Sequence, residues 1–208
     1  MTVVGFLRAL TLAAAAASLG ALVLMVFRTF SFGHREYLSA PRGYGGRGLV
    51  YAFGRGMLDK ESVSRHRPTM AGGALYHMAI FAGLAYVLWT ALPLRISPPL
   101  WAFRPLLLVG TVVGLSLFVK RTAKPHLRRL SCPDDFFANL FVDTFLLLAL
   151  LHTFSPALEP VLLGFSVLLF VYIPLGKIRH CFFFFYTRIV FGLHFGRRGA
   201  LPGSGREA

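Results

Sequence analysis

The chain has 208 residues, of which 56% are hydrophobic and only 14% are charged, and its mean hydropathy is +0.65. This composition excludes intrinsic disorder, which needs low hydrophobicity, and argues against an ordinary soluble enzyme. The net charge of +14 does not point to nucleic acid, because the basic residues lie between long apolar runs. Two distant cysteines make neither a disulfide framework nor a CxxC metal pair. The composition therefore favours a membrane protein.

Five apolar stretches follow one another along the chain, at about 3–27, 71–94, 104–120, 136–155 and 160–180. A helix needs about 20 residues to cross a bilayer, and lipid leaves no other way to pair the backbone of a single span. We therefore predict an all-α integral membrane protein, a bundle of five transmembrane helices.

The first stretch has a rival interpretation as a cleaved signal peptide. Arg8 would then be its basic end, and the alanines near Ala17 its cleavage site. A retained helix is favoured, because the apolar run over 9–27 is long for a signal peptide and Arg28 follows it directly.

The basic residues give the orientation. Three segments, 28–70, 120–135 and the tail from 177, carry nineteen of the 22 lysines and arginines. Five alternating spans place all three on one side, which the positive-inside rule makes cytoplasmic. The N-terminus is then outside and the C-terminus in the cytoplasm, whereas four or six spans would lose this segregation.

Two parts of the predicted cytoplasmic face have unusual composition. The long basic loop 28–70 holds a cluster of six glycines without the Gly-Lys-Ser/Thr of a phosphate-binding loop. We expect an irregular segment that lies on the membrane or against a partner. The tail 181–208 begins with aromatic residues up to Tyr186, followed by Arg188, which favours the membrane interface or a partner-binding helix.

Two histidines fall at a similar predicted depth. His77 is the seventh residue of the second span, about 10 Å in at ~1.5 Å per residue, and His180 ends the fifth. Imidazoles on two facing helices can be the axial ligands of a haem iron. Gly73, one turn before His77, would leave space for the macrocycle, but a histidine bonded to a neighbouring helix is the alternative. The basic residues that would pair with haem propionates are Arg65, Arg67, Lys177 and Arg179.

The fourth span carries two further ionisable residues, Asp143 and His152. An ionisable residue inside a membrane is a functional candidate, here for a quinone or a proton. The two are nine residues apart, about two and a half helical turns, so they point in opposite directions and are not expected to form one relay. Asp143 is also interpreted as a buried hydrogen-bonding partner.

Three segments resemble a known family: RPTMAGGALYHMAIFAG at 67–83, LRRLSCPDDFF at 127–137 and YIPLGKIRH at 172–180. They are similar to the cytochrome b, or gamma, subunit of respiratory nitrate reductase. They are more similar still to the related membrane subunits of menaquinone-linked and heterodisulfide-reductase-type complexes. The resemblance implies that His77 and His180 ligate a cytoplasmic-side haem b. At the family's outer-haem positions stand Val87 and Leu162, which cannot bind iron, so we expect one haem.

The resemblance also implies a function. It is electron transfer between a membrane quinone, such as menaquinone, and a cytoplasmic iron–sulfur subunit in a bacterial or archaeal cytoplasmic membrane. The chain has no iron–sulfur cysteine cluster and no nucleotide motif, so it would not be catalytic alone. Its basic face would dock the iron–sulfur subunit or bind anionic lipid. The resemblance also allows further membrane subunits or cytochrome c subunits.

Two other classes compete with this one. A cofactor-free membrane anchor or assembly subunit would tolerate loss of either histidine. A small transporter ranks last, because no pair of glycine- or proline-broken helices marks a transport site.

Overall fold

A computed structural model of the chain describes residues 2–32, 40–59, 63, 66–94 and 96–204. The structure is 83% helical. The helices are α1 Val3–Phe30, α2 Gly45–Phe53, α3 Arg55–Leu58, α4 Arg67–Ala91, α5 Leu100–Ala123, α6 Pro125–Arg129, α7 Pro133–His152, α8 Glu159–Leu175 and α9 His180–Arg197. Short 3-10 turns at Pro156–Leu158 and Lys177–Arg179 precede α8 and α9.

Five helical segments are long and apolar enough to cross a membrane: α1, α4, α5, α7, and Pro156–Leu175, which joins a 3-10 turn to α8. The prediction of an all-α protein with five spans is confirmed. The third span begins at Leu100 and not at residue 104, an earlier start that its short apolar run also allows if Arg104 extends its charge toward the interface.

The chain divides into two compact units. The first comprises Met1–Ala21 and Ala71–Ile178, and the second comprises Leu22–Met70 and Arg179–Ala208. The first unit contains most of the five spans, and the second contains α2, α3 and α9.

Small residues bring three spans of the first unit close together. A Cβ added to Gly83 on α4 would lie 3.0 Å from the Phe145 ring and 3.1 Å from Leu146, both on α7. A Cβ on Gly110 of α5 would overlap Ala79 of α4. Glycine at such contacts lets membrane helices approach closely, where dispersion forces between packed atoms hold them together.

Polar contacts show the directions of the spans. Tyr76 and Tyr86 of α4 bond Asp143 and His152 of α7 in the same order, so α4 and α7 run parallel. Arg8 pairs with Glu159 at 2.7 Å, so the starts of α1 and α8 lie together. Thr11 donates to the Leu163 carbonyl three to four residues further along both helices, so α1 and α8 are also parallel. The pairings match the alternation that consecutive spans require.

Four of the six glycines in the 28–70 loop are helical, so the expectation of an irregular segment was wrong there: Gly45, Gly46 and Gly48 lie in α2, and Gly56 lies in α3. Helix α2 packs against α9, and a Cβ on Gly48 would overlap the Gly192 carbonyl and lie 2.6 Å from Gly196 Cα. The missing side chains let the two backbones touch. The Arg42 and Gly43 amides, just before α2, donate to the carbonyl of Arg197 at the end of α9, at 3.1 and 3.0 Å. These bonds hold the start of α2 against the end of α9.

The fifth span ends earlier than predicted. Helix α8 stops at Leu175, Gly176 is extended, and His180 opens α9 instead of ending the span. Asp134 explains the break, because it accepts the Lys177 amide at 3.0 Å and the Tyr172 hydroxyl, and so holds the chain away from a helical path.

Candidate functional site

His77 lies half-buried on α4, and its ring has a defined orientation. Its Nδ1 is 2.7 Å from the carbonyl oxygen of Gly73, one turn earlier. A carbonyl can only accept, so Nδ1 carries the proton and the neutral ring has its lone pair on Nε2. Metal-ligating histidines are commonly fixed this way, with one ring nitrogen donating to a carbonyl and the other on the metal.

The surroundings of Gly73 fit a flat group beside His77. The two residues are one turn apart and share a face of α4. A Cβ added to Gly73 would meet no atom within 4 Å. Within the first unit, this open space beside His77 and the Nε2 position of its ring are compatible with a bound haem.

His180 is the first residue of α9 and is exposed, and it belongs to the second unit. Its Nε2 lies 3.7 Å from the sulfur of Cys181. Burial raises the pKa of the Cys181 thiol, so the sulfur keeps its proton and can donate weakly to that nitrogen. A metal on Nε2 would replace this contact.

The four residues expected at haem propionates differ in their surroundings. Lys177 forms an ion pair with Asp135 at 2.8 Å, and this hydrogen bond raises the pKa of Lys177. The Lys177 ammonium is therefore already paired with a carboxylate of the chain itself. Arg67 and Arg179 are exposed, at the start of α4 and at the end of the turn before His180. Arg65 lies outside the described residues.

Asp143 is a buried hydrogen-bonding partner. Its Oδ1 accepts the Tyr76 hydroxyl at 2.6 Å, and its Oδ2 accepts the Asn139 amide at 2.8 Å. The residue is only 2% exposed. Gly114 of α5 packs directly on the pair, because a Cβ there would overlap the carboxylate and lie 2.5 Å from the Tyr76 ring.

His152 has its own partner on the same neighbouring helix. Its Nδ1 lies 2.8 Å from the Tyr86 hydroxyl, and both side chains are buried. Arg104 donates to the Thr153 carbonyl at 2.6 Å next to this pair. Both side chains therefore contact α4, so the expectation that they point in opposite directions was wrong, but they bond different tyrosines, ten residues or about 15 Å apart along α4.

Sequence reasoning missed Tyr76, Tyr86 and Asn139 as partners of these groups. The signal was present: the two tyrosines are spaced along their span almost as Asp143 and His152 are along theirs. Asn139 is four residues before Asp143, the spacing of neighbours on one helical face.

Comparison with protein-family models, curated proteins and solved structures gives no match for the chain. The fold defines an all-α, multi-pass membrane protein.

Proposed function

We propose that the chain is the haem b subunit of a respiratory oxidoreductase in a bacterial or archaeal cytoplasmic membrane. It would carry electrons between a membrane quinone, such as menaquinone, and a cytoplasmic iron–sulfur subunit. The observation that carries this proposal is the orientation of His77, whose Nδ1 donates to the Gly73 carbonyl, the arrangement in which many metal-ligating histidines are held with Nε2 as the ligand atom.

His77 and His180 would hold the haem, which would supply one-electron redox chemistry. The chain itself would orient the ligand ring of His77 and provide the space that holds the haem. The Gly73 carbonyl fixes the His77 ring, and the absent side chain of Gly73 leaves room beside it. Arg67 and Arg179 would neutralise the propionates.

One haem is proposed because buried apolar side chains stand where the resembling family has the histidines of its outer haem. Val87 and Leu162 are fully buried in the apolar core of the first unit. Neither side chain has an atom that can bind iron, and both are packed against other core side chains.

Quinone chemistry takes up and releases protons, so it needs ionisable groups near the quinone. A quinone site beside the haem edge is favoured, and Asp143 and His152, each bonded to a tyrosine hydroxyl, are the candidates for a site elsewhere in the first unit. A quinone carbonyl bound at His152 would replace the Tyr86 hydroxyl as the hydrogen-bond partner of the imidazole ring.

The iron–sulfur partner would dock on the basic face. The segments 28–70, 120–135 and the tail from 177 carry its charge, and the same charges attract anionic lipid. That face is assigned to the cytoplasm on the charge distribution alone.

The test is a reduced-minus-oxidised visible spectrum of the purified complex, with a pyridine haemochrome count. We expect one b haem per chain, lost in His77→Ala and in His180→Ala. His126→Ala is the matched control, because His126 is an exposed histidine on α6. Absence of haem from the intact complex, or its full retention in both variants, would overturn the proposal.

One observation favours the cofactor-free anchor as the second candidate. Among the described residues, no buried side-chain nitrogen or oxygen lacks a hydrogen-bond partner. These buried side chains therefore have their hydrogen bonds without a cofactor. The same spectrum separates the two functions, because an anchor would show no b-type band.

A further inference from the structure

An open groove lies within the second unit, between α2 and α3 on one side and α9 on the other. Its volume is about 560 Å³. The walls are mainly apolar and aromatic, from Tyr51, Phe184, Phe191 and Leu201. Pockets of this size, apolar with a few polar groups, are typical of small-molecule sites.

Two opposite charges line the groove. The Arg188 guanidinium lies over the Phe184 ring, 5.6 Å from its centroid, which restricts its position. Guanidinium groups bind phosphate through paired hydrogen bonds. Asp59 also lines the groove, near the Tyr51 hydroxyl at 3.3 Å and Arg55 at 3.5 Å. Its carboxylate can accept from a donor on the same ligand.

The surface around the groove suits lipid better than water. Large apolar side chains on α2 and α9 are exposed, among them Val50 at 76%, Leu193 at 45% and Ile189 at 43%. Helix α9 combines seven aromatic residues with two arginines, Arg188 and Arg197, a composition typical of helices at the membrane interface. Helices α1 and α4, which are spans, also contribute residues to this unit.

We propose that the groove binds the headgroup of a phospholipid that carries hydrogen-bond donors, phosphatidylethanolamine being the representative. Arg188 takes the phosphate and Asp59 takes the ammonium. The acyl chains pass over Phe191 and the exposed apolar residues beside it. A choline headgroup keeps the phosphate and the charge but has no N–H to donate to Asp59. The site does not depend on the haem.

The experiment uses the full-length chain, stripped of lipid in detergent and examined by native mass spectrometry. Phosphatidylethanolamine and phosphatidylcholine with identical acyl chains are added separately, with glycerophosphoethanolamine as the headgroup without chains. We expect the ethanolamine lipid to be retained about tenfold better than the choline lipid, the scale of one charge-assisted hydrogen bond. The free headgroup should bind far more weakly than the lipid.

Variants assign the two charges. Arg188→Gln should weaken binding of both lipids. Asp59→Asn should weaken the ethanolamine lipid more than the choline lipid, because both lose the attraction to the charge and only ethanolamine loses a charge-assisted hydrogen bond, so the preference should fall. Arg129→Gln is the control, an exposed arginine on α6 in the first unit, with the same loss of charge. Equal retention of the two lipids by the native chain would overturn the proposal, as would equal losses in Arg188→Gln and Arg129→Gln. Binding of the free headgroup as tightly as the lipid would overturn the lipid assignment.

Discussion

The Tyr76 hydroxyl donates to the Asp143 carboxylate at 2.6 Å and joins α4 to α7 across the interior of the first unit. The second oxygen of Asp143 accepts from Asn139, so both carboxylate oxygens have donors. A buried polar group is costly without partners and inexpensive with them. The pair therefore fixes the rotation and level of the two parallel spans, whatever else Asp143 does.

Gly114→Ala should destabilise the first unit. The new Cβ would overlap the Asp143 carboxylate and press on Tyr76, and such overpacking costs about 1–3 kcal/mol. The measurement is the thermal unfolding midpoint in detergent. Gly164→Ala on α8 is the control, because its Cβ would meet nothing within 4 Å. Equal midpoints in the two variants would contradict the tight contact at Gly114.

A double-mutant cycle should show that Tyr76 and Asp143 are coupled. Tyr76→Phe and Asp143→Asn each weaken the bond, so together they should cost less than the sum of the single changes, by about 1 kcal/mol. The free energy of unfolding gives the coupling. Strict additivity would mean that the contact contributes nothing to stability.

The sequence predicts the five spans because each is a long apolar run, and length and hydropathy alone define a span. It does not predict which polar groups meet, because Tyr76 and Asp143 come together only through the rotation of two helices. The end of α8 was missed for a related reason. It depends on Asp134, forty-three residues before Lys177, accepting the Lys177 amide.

The glycines of α2 show a similar gap between pattern and structure. Their clustering in the sequence suggests irregular backbone. In the structure Gly48 lies on helix α2 and contacts two glycines of α9, Gly192 and Gly196, which are four residues apart. Two glycines four apart mark a close helix contact. The pattern on α9 was visible in the sequence, but its partner could be identified only from the fold.

Gly48→Ala should separate α2 from α9. The new Cβ would overlap the Gly192 carbonyl, which is backbone and cannot move aside as a flexible side chain can. We expect faster amide hydrogen exchange over 45–53, measured by mass spectrometry. The control is Gly46→Ala on the same helix, where a Cβ would meet nothing within 4 Å and alanine favours the helix. Similar exchange in both variants would contradict the interlocking of the two helices.

Tyr86→Phe should change the quinone reaction if His152 belongs to the quinone site. The loss of the hydroxyl leaves His152 without that partner, which costs about 1–3 kcal/mol of stability in either case. The discriminating measurement is the KM for a quinol analogue, with the haem spectrum recorded beside it. We expect a changed KM and an unchanged spectrum. A lower unfolding midpoint with unaltered kinetics would show that the pair is structural.

Gly73→Leu tests the haem proposal without touching an iron ligand. A side chain at Gly73 enters space that holds no atom within 4 Å of the Cβ, and leucine favours the helix over glycine by up to about 1 kcal/mol, so the chain should fold at least as well. A macrocycle on His77 would need that same space, because the two residues lie one turn apart on one face of α4. We therefore expect most of the haem to be lost, measured by the pyridine haemochrome count, while the haem-free chain keeps the unfolding midpoint of the haem-free native chain. Gly164→Leu places the same side chain in open space on α8 and should keep its haem. A full haem count in Gly73→Leu would mean that the open face beside His77 is lined by lipid, and the haem would then have to approach His77 from another side.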